Sequence, residues 1–149
     1  MYKSAVRWMI RRNVEALRHG DVGPLLAGYA DDALLVFPGP SSWGGEYRGK
    51  KAIAGFLGRF VDDGVVGEAH DILVNGPPWR TTIAVFFTAT AVDDDNALVY
   101  DNRAILFVRA RWGKIFYQED FEDTHKSEAF ERYLAESRGA ESLADGSVR

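Results

Sequence analysis

The chain contains no cysteine. Disulfides, thiolate nucleophiles and cysteine-based zinc sites are therefore excluded, and a reducing, cytoplasmic setting is the expectation that fits. Histidine is nearly as scarce: His19, His70 and His125 are the three present, far apart along the chain. None stands at the helical or strand spacing of a zinc ligand pair, so no metal is expected. A surplus of positive charge is also missing. Lys and Arg total 18 against 22 Asp and Glu, a net charge of −4. This argues against a nucleic-acid partner, because such binders carry a basic surplus on one face. Arg7, Arg11 and Arg12 cluster near the start but read as a solvated helix face. No uncharged apolar stretch approaches the roughly 20 residues that cross a membrane. Met1-Tyr2-Lys3-Ser4 leads into a charged amphipathic stretch, not the apolar run of a signal peptide. No membrane partner is expected.

What is present is apolar and aromatic. Hydrophobic residues make up 46% of the 149, with nine Phe, six Tyr and four Trp. That is enough for one domain with a single core and too much for a disordered chain. Large aromatics build cores, and they also suit a mostly apolar ligand cavity. The expected division is one domain over residues 1–138 and a flexible tail over 139–149, where the chain turns small and polar.

Periodicity then places the elements. Val6, Ile10, Val14 and Leu17 recur at helical spacing, and Gly20 ends that helix. Asp21 is expected to cap a short second helix to about Gly28, with Pro24 in its first turn. Ala33 to Phe37 reads as a strand stopped by Pro38-Gly39-Pro40. Ser41 to Gly49 is glycine-rich but lacks the Gly-Lys-Ser/Thr of a phosphate cradle, and reads as a turn-rich loop. Lys50 to about Val61 predicts a third helix with Ile53, Phe56, Leu57 and Phe60 as its buried stripe. His70–Asn75, Thr81–Val92, Leu98–Arg111 and Lys114–Phe121 read as strands. The links within the last three are too short for parallel crossovers, so these strands form an antiparallel meander. Thr124 to about Arg138 closes the domain as a helix with Phe130, Tyr133 and Leu134 on one face. The fold class is α+β.

Chemistry depends on which side chains point inward, and these alternate along a strand. Tyr100, Asn102, Ala104, Leu106 and Val108 share one face; Asp101, Arg103, Ile105, Phe107 and Arg109 share the other. Gln118, Asp120 and Glu122 alternate with Tyr117, Glu119 and Phe121. Neither strand has a cleanly polar face, so alternation alone leaves the interior side open. His70, followed by Asp71, is an acid–base candidate, against the reading of a hydrogen-bonded histidine at a strand start. Asp93-Asp94-Asp95-Asn96 lacks the ligand alternation and the later Glu of a calcium loop and reads as a solvated turn. Trp43, Tyr47 and Trp79 fall in loops, where they either close a cavity mouth or make a dimer contact.

Three stretches carry a resemblance. Tyr29-Ala30-Asp31-Asp32-Ala33 resembles the end of the second helix in ketosteroid-isomerase-like proteins. Tyr47-Arg48-Gly49 with Ala52-Ile53 and Phe56-Leu57 resembles the start of the third helix in SnoaL-like domains. Trp112-Gly113-Lys114-Ile115 through Phe121-Glu122-Asp123-Thr124 resembles that group's last hairpin and its entry to the closing helix. Their order and spacing resemble the SnoaL-like, nuclear-transport-factor-2-like (NTF2-like) superfamily. The resemblance implies a cone-shaped, curved antiparallel sheet wrapped around the N-terminal helices, with an internal pocket. It turns Tyr100, Asn102 and Leu106 inward, together with Gln118, Asp120 and Glu122. It places Asp120 where limonene-epoxide-hydrolase-like members carry an aspartate that helps activate water.

A carboxylate in an apolar cavity is costly to charge, which raises its pKa toward a useful range. Asp120 is then expected to abstract a proton next to a carbonyl or to activate water. Asn102 is expected to orient the substrate or donate to an oxyanion. The bland alternative pairs Asp120 with Arg103 or Arg109, or has it reach solvent at the rim. The chain also departs from the relatives. Phe37, before Pro38, stands where ketosteroid-isomerase-like enzymes carry a catalytic aspartate, and Leu106 stands near their second carboxyl. Ile83, Val85, Phe86 and Phe87 occupy the strand that supplies an Arg and an Asp in the epoxide-hydrolase branch. Phe37, Phe86 and Phe116 are large enough to fill a cavity. Three readings follow: a cofactor-free isomerase, cyclase or hydrolase acting on a small apolar molecule; a non-catalytic ligand-binding domain; or a structural dimerisation module. A homodimer is compatible with all three.

Overall fold

The computed structural model describes residues 1–146, with side chains to Leu143. Two helices, α1 (Tyr2–Arg18) and α2 (Gly23–Ala27), precede β1 (Tyr29–Phe37) and β2 (Gly45–Arg48). Then come α3 (Gly49–Asp62) and the strands β3 (Val66–Asn75), β4 (Thr81–Val92), β5 (Leu98–Arg111) and β6 (Lys114–Glu122). Helix α4 (Thr124–Gly146) closes the chain. The six strands form one curved, open sheet in the order β2-β1-β6-β5-β4-β3, with β2 and β3 at the edges.

The meander is as the short links require. β4 pairs antiparallel with β5, and β5 with β6. The Asp93–Asn96 turn is tied by one side chain: Asp93 Oδ1 accepts from the backbone N–H groups of Asp95 at 3.0 Å and Ala97 at 2.8 Å. An Asx-type bond of this kind offers the backbone a turn in place of the ladder.

Elsewhere the structure corrects the sequence reading. Tyr29 to Ala33 is the opening of β1, not a helix end. Gly28 caps α2, and its carbonyl accepts the Ile115 N–H at 2.8 Å, which starts the pairing with β6. That pairing is parallel, so the sheet is mixed at this one junction. The loop after β1 ends in β2, which pairs antiparallel with β1 from Phe37↔Gly45 to Leu34↔Arg48. β3 begins at Val66, ahead of His70. Val22, not Asp21, occupies the N-cap of α2; Asp21 Oδ1 instead accepts from Gly23 N at 3.0 Å. α4 continues past Arg138 to Gly146, and the Arg138 guanidinium donates to Asp63, a buried carboxylate at the end of α3 that also pairs with Arg59 at 3.4 Å. Residues 147–149 of the expected tail lie outside the described residues.

Burial follows the predicted stripes. α1 buries Val6 and Leu17, and α3 buries Ile53, Phe56 and Leu57. Along β4, Thr81, Ile83, Val85, Phe87, Ala89 and Ala91 are buried and their neighbours less so, which fixes the inner face. From α4, Phe130 stacks on Tyr100 with ring centroids 4.5 Å apart. Two apolar clusters result, one around β3 to β5 with Val6 and Phe130, the other around β1 and α3 with Tyr29 and Trp43. Among the described residues, no helix is long and apolar enough to cross a membrane.

Candidate functional site

The alternation that sequence left open is resolved by burial. On β5 the inward side chains are Tyr100, Asn102, Ala104, Leu106 and Val108, while Asp101, Arg103, Ile105 and Arg109 are exposed. β6 is the antiparallel neighbour of β5, and Leu106 stands opposite Asp120, so the same face receives Gln118, Asp120 and Glu122. These residues line a cavity of about 150 Å³. Val6 and Ile10 of α1, Phe56 and Phe60 of α3, and Ile83, Val85 and Phe87 of β4 supply its apolar walls.

The polar wall is built twice over from a tyrosine, an amide and a carboxyl. In the first set, Tyr29 O–H donates to Gln118 Oε1 at 2.5 Å, and Gln118 Nε2 donates to Asp120 Oδ1 at 2.9 Å. In the second, Asn102 Nδ2 donates to Glu122 Oε2 at 2.8 Å, and Tyr100 O–H donates to the same oxygen at 3.3 Å. The outer oxygens differ. Glu122 Oε1 is sealed and partnerless, alone in this among the described residues. Asp120 Oδ2 also accepts no hydrogen bond among them and is not sealed, so it is the oxygen open to the cavity.

The electrostatics follow from this enclosure. Burial pushes the Asp120 carboxyl up to about 7, against the Gln118 hydrogen bond, which lowers it. Burial also pushes Glu122 up to about 7, and the neighbouring Asp120 charge adds to the rise. Burial, then the Glu122 charge, lifts Tyr100 to about 12. No Lys, Arg or His is among the lining residues, so nothing cationic holds either carboxyl ionised. The cavity therefore contains groups that exchange protons near neutral pH in otherwise apolar surroundings.

Other candidates are placed as follows. Leu106, Phe37 and Trp43 line the cavity. Trp43 is buried, with the Arg59 guanidinium 4.1 Å above its ring. Tyr47 braces it from behind, donating to Trp43 O at 2.6 Å, and does not line the cavity. Trp79 is 59% exposed and lies 6.0 Å from Trp112, away from the site. His70 is turned to the outer face: its Nε2 lies 2.8 Å from Thr88 Oγ1 and its ring 5.5 Å from Phe86. Phe86 and Phe116 are not among the cavity lining either, and Phe116 sits under Arg111 at 4.2 Å. Arg103 and Arg109 project from the face opposite Asp120. Asn102 is not free to meet an oxyanion. Its Nδ2 also donates to Asp123 O at 3.0 Å and its Oδ1 accepts Arg103 N at 2.9 Å, so it positions Glu122 instead. Sequence reasoning missed Tyr29, whose partner lies 89 positions away on a strand paired in parallel. No local signal marks such a contact.

The pattern of the SnoaL-like domain matches residues 10–118. No curated protein matches the chain. Solved structures share the fold at low identity. A protein from a soil-derived mobile gene cassette is 19% identical with a TM-score of 0.71, over 84% of this chain and 95% of that one. TerC, co-crystallised with polyporic acid, is 22% identical with a TM-score of 0.67, over 85% and 98%. An NTF2-like protein from Burkholderia xenovorans is 20% identical with a TM-score of 0.58, over 81% and 91%. With its open six-stranded sheet, its N-terminal helices and a match over more than half its length, this chain belongs to the SnoaL-like domain family and has the NTF2-like fold.

Proposed function

We propose that the chain is a cofactor-independent acid–base enzyme of the isomerase, cyclase or hydrolase type, with Asp120 as the group that takes and returns the proton. The observation that carries this reading is the Asp120 carboxyl, 7% exposed, with one oxygen fixed by Gln118 and the other open to an apolar cavity. In its ionised form such a group removes a proton from a carbon beside a carbonyl, or from a water aimed at an electrophilic carbon. In its protonated form it returns that proton to the product. The lining favours a small, largely apolar substrate, because its polar groups mostly bond one another. TerC, a fold neighbour, has been co-crystallised with polyporic acid, which supports a small-molecule role for this architecture.

The test is a thermal-shift screen of apolar ketones, lactones, epoxides and polycyclic phenols, followed by product analysis for each binder. Asp120→Asn should keep binding and lose turnover by about 100-fold or more, the usual worth of a positioned acid–base group. Unchanged turnover in that variant would overturn the assignment. A ligand bound and recovered intact from the wild type would favour the non-catalytic binding reading. That reading draws support from Asn102 and Glu122, whose bonds are largely to each other and to the backbone.

The outer sheet face supports a homodimer. Phe86, Ile105 and Phe121 align in register across β4, β5 and β6. Ile105 and Phe121 are 44% and 52% exposed. Arg103 and Glu119 flank that row, so a second copy meets complementary charge around an apolar centre. Sedimentation of Ile105→Glu against the wild type tests it, and an unchanged molecular mass would refute this interface.

A further inference from the structure

We propose that Tyr29 is the positioning residue of this site, acting through Gln118 to hold Asp120 with Oδ1 bonded and Oδ2 presented to the cavity. For its functional meaning the inference rests on Asp120 as the acid–base group, but its test reads Asp120 directly and needs no substrate.

A glutamine amide has a donor end and an acceptor end of nearly the same shape. Turned one way, Gln118 donates to Asp120 and favours the carboxylate. Turned the other way, its oxygen faces Asp120 and favours the protonated acid. Nothing in Gln118 itself selects between the two. Tyr29 does. It is the first residue of β1, 1% exposed, and its hydroxyl bonds only Gln118 Oε1 among the described residues. If the amide turned over, the hydroxyl would have to accept from Nε2, and its own proton would be left in buried surroundings without an acceptor, which is unfavourable. Nor can the hydroxyl ionise to escape this, since burial and the Asp120 charge push its pKa above the ordinary range. The order of donation is therefore fixed: Tyr29 to Gln118, and Gln118 to Asp120.

The other groups around Asp120 do not substitute for this. Glu122 shares its strand and face and carries like charge, and Glu119 lies beside it in sequence on the same strand. On β5 the residue opposite is Leu106, and Tyr100 is engaged with Glu122. α1 contributes Asn13, apolar side chains and, at its first residue, Tyr2. α3 contributes Phe56, Leu57 and Phe60, and α4 contributes Ser127 and Phe130. Gln118 is thus the only hydrogen-bond donor that reaches Asp120 among the described residues, and Tyr29 is what orients it.

The experiment is a carboxyl ¹³C NMR titration of aspartate-labelled protein, with the Asp120 resonance identified by its loss in Asp120→Asn. Tyr29→Phe keeps the ring and removes only the hydroxyl. It should raise the Asp120 midpoint by roughly half a pH unit or more, because the amide is then free to favour the protonated acid. Gln118→Met should raise it by about one unit or more, since the donor is gone. In the Gln118→Met background, adding Tyr29→Phe should produce no further rise. A Tyr29→Phe midpoint equal to the wild type, or a tyrosine effect undiminished without Gln118, overturns the proposal. Should Tyr29→Phe not fold, Gln118→Met decides: the proposal requires its Asp120 midpoint to rise, and no rise refutes it. Absence of turnover with every substrate would sink the enzymatic reading and leave this result standing.

Discussion

Replacing Asp120 with Asn should make the protein more stable at alkaline pH, although it removes a hydrogen-bonded buried carboxyl. The native carboxyl is pushed from 3.8 up to about 7. In the unfolded chain the proton leaves near the lower value, and in the native state it stays until the upper one. Between these limits the native state binds more protons, so stability falls as pH rises through the window and is constant above it. The full span is worth at most about 4 kcal/mol. Asn cannot ionise and escapes this loss. It can still accept from Gln118, but its own NH₂ faces the cavity without a partner, a cost of about 1 kcal/mol. The variant should therefore be about 2–4 kcal/mol more stable than the wild type at pH 8 and no more stable at pH 4. That is a large part of the 5–15 kcal/mol typical of a domain. Removing the Asp120 charge also eases the ionisation of Glu122, which adds to the gain. Urea unfolding followed by tryptophan fluorescence, repeated between pH 4 and 8.5, measures the difference. A difference that is flat across this range would mean that Asp120 does not titrate there, and the electrostatic account of the site would fail.

Leu106→Trp places an indole ring in place of a smaller aliphatic side chain opposite Asp120 in a cavity of about 150 Å³; it should abolish ligand-induced thermal shifts while the variant remains folded by circular dichroism. His70→Ala should leave ligand binding and turnover unchanged and cost about 1 kcal/mol in urea unfolding, because His70 bonds Thr88 on the outer face. Gly67→Ala puts a Cβ 2.2 Å from Phe87 Cζ, so the ring must move; the expected cost is about 1–3 kcal/mol, read as a lowered urea midpoint.

The sequence made some elements plain and hid others for physical reasons. β4 and β5 were legible to the residue because long β-branched and aromatic runs are bounded by a turn of strong local chemistry, Asp93 to Asn96. α1 and α3 were legible because each buries one stripe. The start of β1 was not: Asp31 and Asp32 are exposed there, and a register slip between Tyr29 and Leu34 breaks the alternation that marks a strand. β2 is four residues long, begins with glycine and buries none of its side chains, so it exists only by pairing with β1. For the site, alternation grouped Gln118, Asp120 and Glu122 on one face of β6 and Tyr100 with Asn102 on one face of β5, and the family resemblance chose which face turns inward. Tyr29 was not reachable, because parallel pairing across the length of the chain leaves no local trace. His70 was misleading for a similar reason. β3 slips register between Ala69 and Ile72, and a side chain beside such a slip cannot be assigned to a face by counting.

Both carboxyls at the polar wall are anchored by neutral amides where cations were available to evolution. An arginine or lysine beside Asp120 would supply a full opposite charge and hold the carboxyl ionised well below neutral pH, as in an ordinary ion pair. Asp63 has such cationic partners in the same chain, with Arg59 and Arg138 on its oxygens, and it is not among the residues that line the cavity. Gln118 and Asn102 supply directed hydrogen bonds without net charge. They fix the carboxyl geometry; Gln118 lowers Asp120, Ser127 and Tyr100 lower Glu122, and these bonds offset only part of the cost of burial, which leaves both groups near 7. Geometry and proton affinity are thereby set by different residues: the amides and tyrosines orient, and the apolar enclosure tunes. Exchanging Gln118 for Lys would collapse that separation. The Asp120 midpoint should fall below the ordinary aspartate value, and any turnover that depends on Asp120 as a proton carrier near neutral pH should fall with it.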